Sequence, residues 1–408
     1  VKAICFDVSV PRYLLTYTLG KFYPPILWSP LAMLQYREVP EPRLPGPDWV
    51  KVKTRYGGIC GSDMGVVFLH VSFALEPLGS STFVVGHENV GTVAEVGADV
   101  EGFSVGDRVV ADPYLSCDAR GIPEPCAYCR RGDTNLCQHF TDGDLAPGLI
   151  IGSCSDTGGS WGPFFVAHKK HLFRVPENVS DESAALTDPF CTSLHAALRN
   201  YPGDETTTLV IGAGIIGLGI VLALRALGSR ARIIVLARYP YQAEAARAQG
   251  ADEVILTRGS LDVYQAVAEL TGARLFKPSL GKRIMVGGAN MVFDCVGSDD
   301  TIDDALRFTA SEGTTVLVGA AGTPKNVDWT HIWLNELTVH GTYACGTETY
   351  QGRKTSTYQL ALDMMAQGKI DLAPLLTHRF RLADYKQALA TVAAKGRNGV
   401  VKAVFAFD

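Results

Sequence analysis

The chain has 408 residues, 47% hydrophobic and 19% charged, with a formal net charge of −5. That length holds more than one hydrophobic core, because single cores stop growing at about 300 residues, and the charge excludes a basic nucleic-acid-binding protein. Four of the ten cysteines fall between Cys117 and Cys137, a clustering that reads as metal binding before disulfides.

In chain order, an N-terminal strand leads into residues 13–34, an apolar stretch interrupted by Lys21, Pro24, Pro25 and Pro30. A spanning helix needs about 20 mostly apolar residues, and a signal peptide needs a clean apolar run behind a charged start. Neither fits, so residues 1–48 are expected to form a strand plus an extended, proline-punctuated loop. The cytoplasm is then the expected compartment, with no membrane and no nucleic-acid partner. Tyr17, Phe22, Tyr23 and Trp28 suit the wall of an apolar pocket or an oligomer or packing contact equally well.

Short β-rich runs follow at 50–53, 90–96 and 108–110, divided by Gly and Pro pairs. From about residue 209 to 339 the rhythm becomes strand, helix, strand, helix. Strands are predicted at 209–211, 233–236, 253–256, 291–294 and 314–318, and helices at 215–227 and 242–249. This alternation predicts a parallel sheet covered on both faces, an α/β fold. Residues 274–290 break the rhythm and read as an insertion rich in turn residues. A helix at 358–367 and a strand at 400–407 are expected to return to the first domain.

Gly212-Ala-Gly214-Ile-Ile-Gly217 follows a predicted strand and opens a predicted helix. In that setting the first glycine makes a tight turn, the second admits a pyrophosphate, and the third lets helix and strand pack. The helix N-terminus offers free N–H groups to the phosphates. A nicotinamide dinucleotide is therefore the expected cofactor. Twenty residues after Gly217, where NAD-binding folds place an acid on the ribose 2′-OH, stands Ala237, followed by Arg238. A small residue leaves room for a 2′-phosphate and Arg238 can pair with it. NADP is favoured over NAD, with a solvated Arg238 and NAD use as the alternative.

Cys60-Gly61-Ser62-Asp63 and Gly86-His87-Glu88 precede this domain. Together with Val96-Gly97, Val105-Gly106-Asp107-Arg108-Val109, the cysteine cluster and the glycine-rich turn, they resemble the zinc-containing branch of the medium-chain dehydrogenase/reductase family. The resemblance runs from about Val50 to the end. It implies a GroES-like β-rich catalytic domain plus a doubly wound Rossmann cofactor domain. The implied divisions are 1–187 with a zinc lobe at 117–137, then 188–345 for the cofactor, then a catalytic return at 346–408.

It also implies site residues. Cys60 and His87 match catalytic zinc ligands, and Asp188 stands at the third ligand position, in preference to the nearby Cys191 and His195. One sulfur, one nitrogen and one oxygen donor leave a fourth position for substrate. Ser62 matches the hydroxyl that binds the substrate oxygen, Asp63 the acid that orients the ligand histidine, and Glu88 the acid beside the zinc. Thr192 matches a position beside the nicotinamide. Cys117, Cys126, Cys129 and Cys137 match a structural zinc lobe, with residues 118–125 lengthening the first spacing. Where many relatives carry a histidine five residues after the first cysteine, this chain has Gly65, so its proton relay departs from theirs. Cys5, Cys154, Cys295 and Cys345 are expected to be packing residues.

The resemblance implies hydride transfer between a nicotinamide cofactor and an alcohol/ketone or aldehyde pair, and the Asp188-Pro189-Phe190 context resembles secondary-alcohol and polyol dehydrogenases more than primary-alcohol enzymes. A zinc-free quinone or enoyl reductase and a non-catalytic cofactor-binding protein are the alternatives. A small-molecule substrate and a homodimer or homotetramer complete the expectation.

Overall fold

The computed structural model describes residues 1–259 and 261–407. The chain folds as two compact units, Val1–Asp188 with the chain from Cys345 onward, and Pro189–Ala344.

The first unit is built on a seven-stranded sheet around Trp49–Gly58, which pairs antiparallel with both Asn89–Val96 and Phe164–His168. Its C-terminal strand Lys402–Ala406 is also antiparallel to Trp49–Gly58, with Val404 opposite Gly58, two residues before Cys60. Trp49, Val50 and Val52 are buried, as are Val404 and Phe405. A smaller sheet sets Lys2–Asp7 between Leu34–Glu38 and Thr82–Val84.

The second unit is a six-stranded parallel sheet, with Thr207–Ile211 flanked by Arg232–Ala237 on one side and Ala289–Asp294 on the other. Numbered within the sheet in chain order, the strands run 3-2-1-4-5-6, the doubly wound arrangement. Leu209, Val210, Ile233 to Val235, Val292 and Phe293 are wholly buried, which explains why these strands read as continuous apolar runs. The chain order reverses at Thr207–Ile211, and the glycine-rich turn follows that strand.

Two segments differ from the sequence reading. Residues 1–48 begin with the expected strand, Lys2–Asp7, but no extended loop follows: Val10–Gly20 is an α-helix and Pro24–Trp28 a 3-10 turn. Pro11, Pro24 and Pro25 start these helices rather than break them. Pro11 lies in the first turn of one and Pro24 and Pro25 open the other, where a missing N–H costs nothing. Residues 274–290 hold a β-hairpin, Arg274–Phe276 with Ile284–Val286, before the strand from Ala289 begins. No helix among the described residues is long and apolar enough to cross a membrane.

Candidate metal centres and cofactor cradle

The strand Trp49–Gly58 delivers Cys60 to the N-cap of the short helix Gly61–Val67. Asp63, buried in the first turn, accepts from the Cys60 backbone N–H through Oδ2 at 2.9 Å. Its other oxygen, Oδ1, faces His87 Nδ1 at 3.2 Å. One carboxylate thus fixes the cysteine backbone and the imidazole together, leaving His87 Nε2 as the donor. Burial opposes the charged ring, but Asp63 and Cys60 hold the His87 imidazole well above its usual range.

The donor atoms of Cys60, His87 and Glu88 all lie within 4.8 Å of one another. Glu88 is fully buried and paired with Lys402 Nζ, itself 2% exposed. A side chain at Gly58 would overlap the Glu88 carboxylate, so the glycine is what lets the acid reach this position. Trp161 Nε1 donates to the Gly58 carbonyl at 2.8 Å and holds the same corner.

Asp188 opens the helix Thr187–Arg199 and accepts from the Tyr358 hydroxyl through Oδ1 at 2.5 Å. It lies outside the close set of Cys60, His87 and Glu88. Burial pushes its carboxyl up to about 6, with Glu88 and Asp112 adding to the rise and His87 opposing it. Cys191 and His195 are buried further along the same helix, and neither joins a ligand set among the described residues. Thr192 is half-buried one turn beyond Asp188. Ser62 is exposed at the start of its helix, and Gly65 follows it.

Sequence reasoning missed Lys402 and Tyr358. Lys402 did leave a trace, a single charge inside the apolar run Val400-Val401-Lys402-Ala403-Val404-Phe405. A buried lysine needs a carboxylate partner, and that need was the available signal. Tyr358 left none.

In the lobe, the sulfurs of Cys117, Cys126, Cys129 and Cys137 lie within 4.8 Å of one another, and all four are free thiols. Cys117 and Cys137 are 3.6 Å apart. Four sulfurs about 2.3 Å from a central zinc form a tetrahedron with edges of about 3.8 Å, so the set fits that ion. Backbone N–H groups of Cys126, Cys129 and His139 donate to the sulfurs of Cys117, Cys126 and Cys137. The contact with Cys129 brings the Cys137 thiol down to about 5, whereas burial raises Cys117 to about 11. The longer first spacing is not slack. Arg120, fully buried within it, donates to the carbonyls of Asp142, Leu145, Ala146 and Gly148.

In the second unit each turn glycine has its own reason. Gly212 sits at φ +95°, and a side chain there would overlap Val296. Gly214, at the N-cap of Ile215–Ala226, faces open space, the room a pyrophosphate needs. A side chain at Gly217 would overlap the Gly212 carbonyl. Ala237 is buried at the end of its strand and Arg238 is exposed after it. Arg258, which sequence reasoning missed, follows the neighbouring parallel strand Glu253–Leu256. The guanidinium groups of Arg238 and Arg258 lie 5.8 and 5.6 Å from the ring of Tyr239.

Residues 46–177 match the family of alcohol dehydrogenase GroES-like domains, and residues 216–366 match the family described as zinc-binding dehydrogenase. The chain is 33% identical over 358 residues to L-idonate 5-dehydrogenase of Vitis vinifera, covering 87% of each. It is also 33% identical over 359 residues to a sorbitol dehydrogenase of Arabidopsis thaliana, covering 87% of this chain and 88% of that one. Among solved structures, 2R,3R-butanediol dehydrogenase from Bacillus subtilis shares the fold, with a TM-score of 0.72 at 23% identity and coverage of 100% and 99%.

Proposed function

The chain belongs to the zinc-containing medium-chain dehydrogenase/reductase family of alcohol dehydrogenases, and on that premise we propose that it interconverts a secondary alcohol or polyol and its ketone with NADP(H). Both curated relatives named above are polyol or sugar-acid dehydrogenases by name. The observation that carries the reading is the Asp63 carboxylate shared between Cys60 and His87, which holds a sulfur and a nitrogen donor ready around one point.

Cys60, His87 and Asp188 are the proposed ligands of the catalytic zinc. Asp188 is preferred to Glu88 because Glu88 already has its countercharge in Lys402, whereas burial, with Glu88 and Asp112 adding to it, raises the Asp188 carboxyl. A bound zinc supplies Lewis acidity that lowers the pKa of an alcohol hydroxyl and polarises a carbonyl. Ser62 hydrogen-bonds the substrate oxygen and takes or returns its proton. Because Ser62 is exposed and Gly65 replaces the usual histidine, the proton passes directly to water. Glu88 and Lys402 set the charge behind the site. Cys117, Cys126, Cys129 and Cys137 hold a structural zinc.

Gly212, Gly214 and Gly217 cradle the pyrophosphate, Thr192 lies by the nicotinamide, and Arg238 with Arg258 receives the 2′-phosphate. Residues 1–187 and 346–408 are assigned to catalysis and 188–345 to the cofactor, in a cytoplasmic homodimer or homotetramer.

Metal analysis and a panel of ketones and aldehydes with NADPH and NADH test this reading. Cys60→Ser should lower turnover by roughly a thousandfold while NADP binding persists. Unchanged turnover in that variant would exclude the assigned site.

A further inference from the structure

The helix Val10–Gly20 leaves most of its apolar residues exposed, among them Val10, Leu14, Leu15, Tyr17 and Leu19. Its inward stripe is Tyr13, Thr16 and Gly20, and Thr16 is the residue it fully buries, with Oγ1 donating to the Arg12 carbonyl at 2.6 Å. Leu14 and Leu19 on the outer side are 58% and 43% exposed, and Phe22 and Tyr23 beyond it 84% and 63%. Phe73, 72% exposed, sets its ring 5.5 Å from that of Tyr13, on the inward stripe. A surface helix in water normally does the reverse, and a contiguous exposed apolar patch marks an interaction surface. The patch is firmly mounted. Ile26, Leu27 and Trp28 are buried with Met64 and Val67, and Trp28 meets Phe68 edge-on at 6.3 Å.

Charge selects the occupant. Between Asp7 and Glu38 the chain has no acidic residue, only Arg12, Lys21 and Arg37, although its net charge is −5. Arg37 is paired with Asp7. Lys21 lies over the Tyr17 ring at 4.5 Å. A second copy docking on the same face about a two-fold axis would bring cations against cations with no carboxylate from this segment to offset them. Aromatic rings and cations without acids are the composition of an element that rests on a bilayer surface.

We propose that residues 8–33 dock the protein on an anionic phospholipid surface. Leu14, Leu19, Phe22 and Tyr23 enter the headgroup boundary, and Arg12 and Lys21 face the lipid phosphates. This reverses the expectation from sequence that no membrane partner exists, and it does not depend on the substrate or cofactor.

The test is cosedimentation of the full chain with phosphatidylcholine vesicles containing about a third phosphatidylglycerol, against phosphatidylcholine alone. The chain should pellet with the anionic vesicles and release as salt rises. Phe22→Ser and Lys21→Glu should each weaken binding about tenfold, with turnover in solution unchanged because neither residue belongs to the site. Absence of binding, or equal binding by both variants, overturns the proposal. So does a wild-type oligomer that Phe22→Ser dissociates without any vesicle binding, which would assign the face to a second copy.

Discussion

Lys402 and Glu88 form a pair with almost no access to water, and the energetics of such pairs are asymmetric. Attraction barely repays the desolvation of two charges, but removing one partner strands the other. Lys402→Met should therefore destabilise the protein by about 3–5 kcal/mol in urea unfolding. Adding Glu88→Gln should recover most of that loss, because it removes the stranded charge. A second residue gives a pH signature. His168 is buried against Trp49, with ring centroids 5.8 Å apart, and its Nδ1 accepts from the Lys170 N–H, which requires a neutral nitrogen. Burial, helped by the nearby His171, brings the His168 imidazole down to about 4. The unfolded chain takes up this proton first, near pH 6.5, so stability is full above that value and is lost as pH falls toward 4. The loss amounts to at most about 3 kcal/mol. Unfolding free energies measured from pH 7 to 4.5 should show this slope, and His168→Gln should flatten it.

Among the elements, the cysteine lobe shows how a local pattern tolerates insertion. Closing a few more residues costs little chain entropy, and Arg120 turns the extra length into four hydrogen bonds to carbonyls between Asp142 and Gly148. The sulfurs still converge. Cys129→Ser should leave about one zinc per chain in place of about two by metal analysis. It should also make residues 117–148 sensitive to protease, while Cys60→Ser should lose the other zinc and leave the lobe resistant. The N-terminal helix teaches the opposite lesson. Pro24 and Pro25 beyond it were legible as interruptions, but they start a 3-10 turn, and only their position within the turn separates the two outcomes.

At the level of the whole molecule, the proposed preference for NADP rests on two neighbouring parallel strands. Arg238 follows one and Arg258 the other, 5.8 and 5.6 Å from the Tyr239 ring. With Arg238→Asp and Arg258→Ala combined, the ratio of kcat/KM for NADPH over NADH should fall by about a hundredfold, because a carboxylate repels the 2′-phosphate and accepts from a ribose hydroxyl. An unchanged ratio would move phosphate recognition elsewhere.

The sequence alone determined what is local. The glycine turn, the spacing of the four lobe cysteines, the Cys60-Gly-Ser-Asp63 turn and the strand–helix rhythm each fit within a short window, where backbone geometry and side-chain period leave few alternatives. The tertiary structure decided what depends on strand register and packing. Lys402 meets Glu88 across 314 residues, and the Tyr358 hydroxyl reaches Asp188 across 170. Arg258 joins Arg238 only because their strands lie side by side. Which face the helix Val10–Gly20 buries was likewise undecided by its composition, since apolar residues ring most of it. Such contacts are set by how elements pack, and no local spacing encodes them.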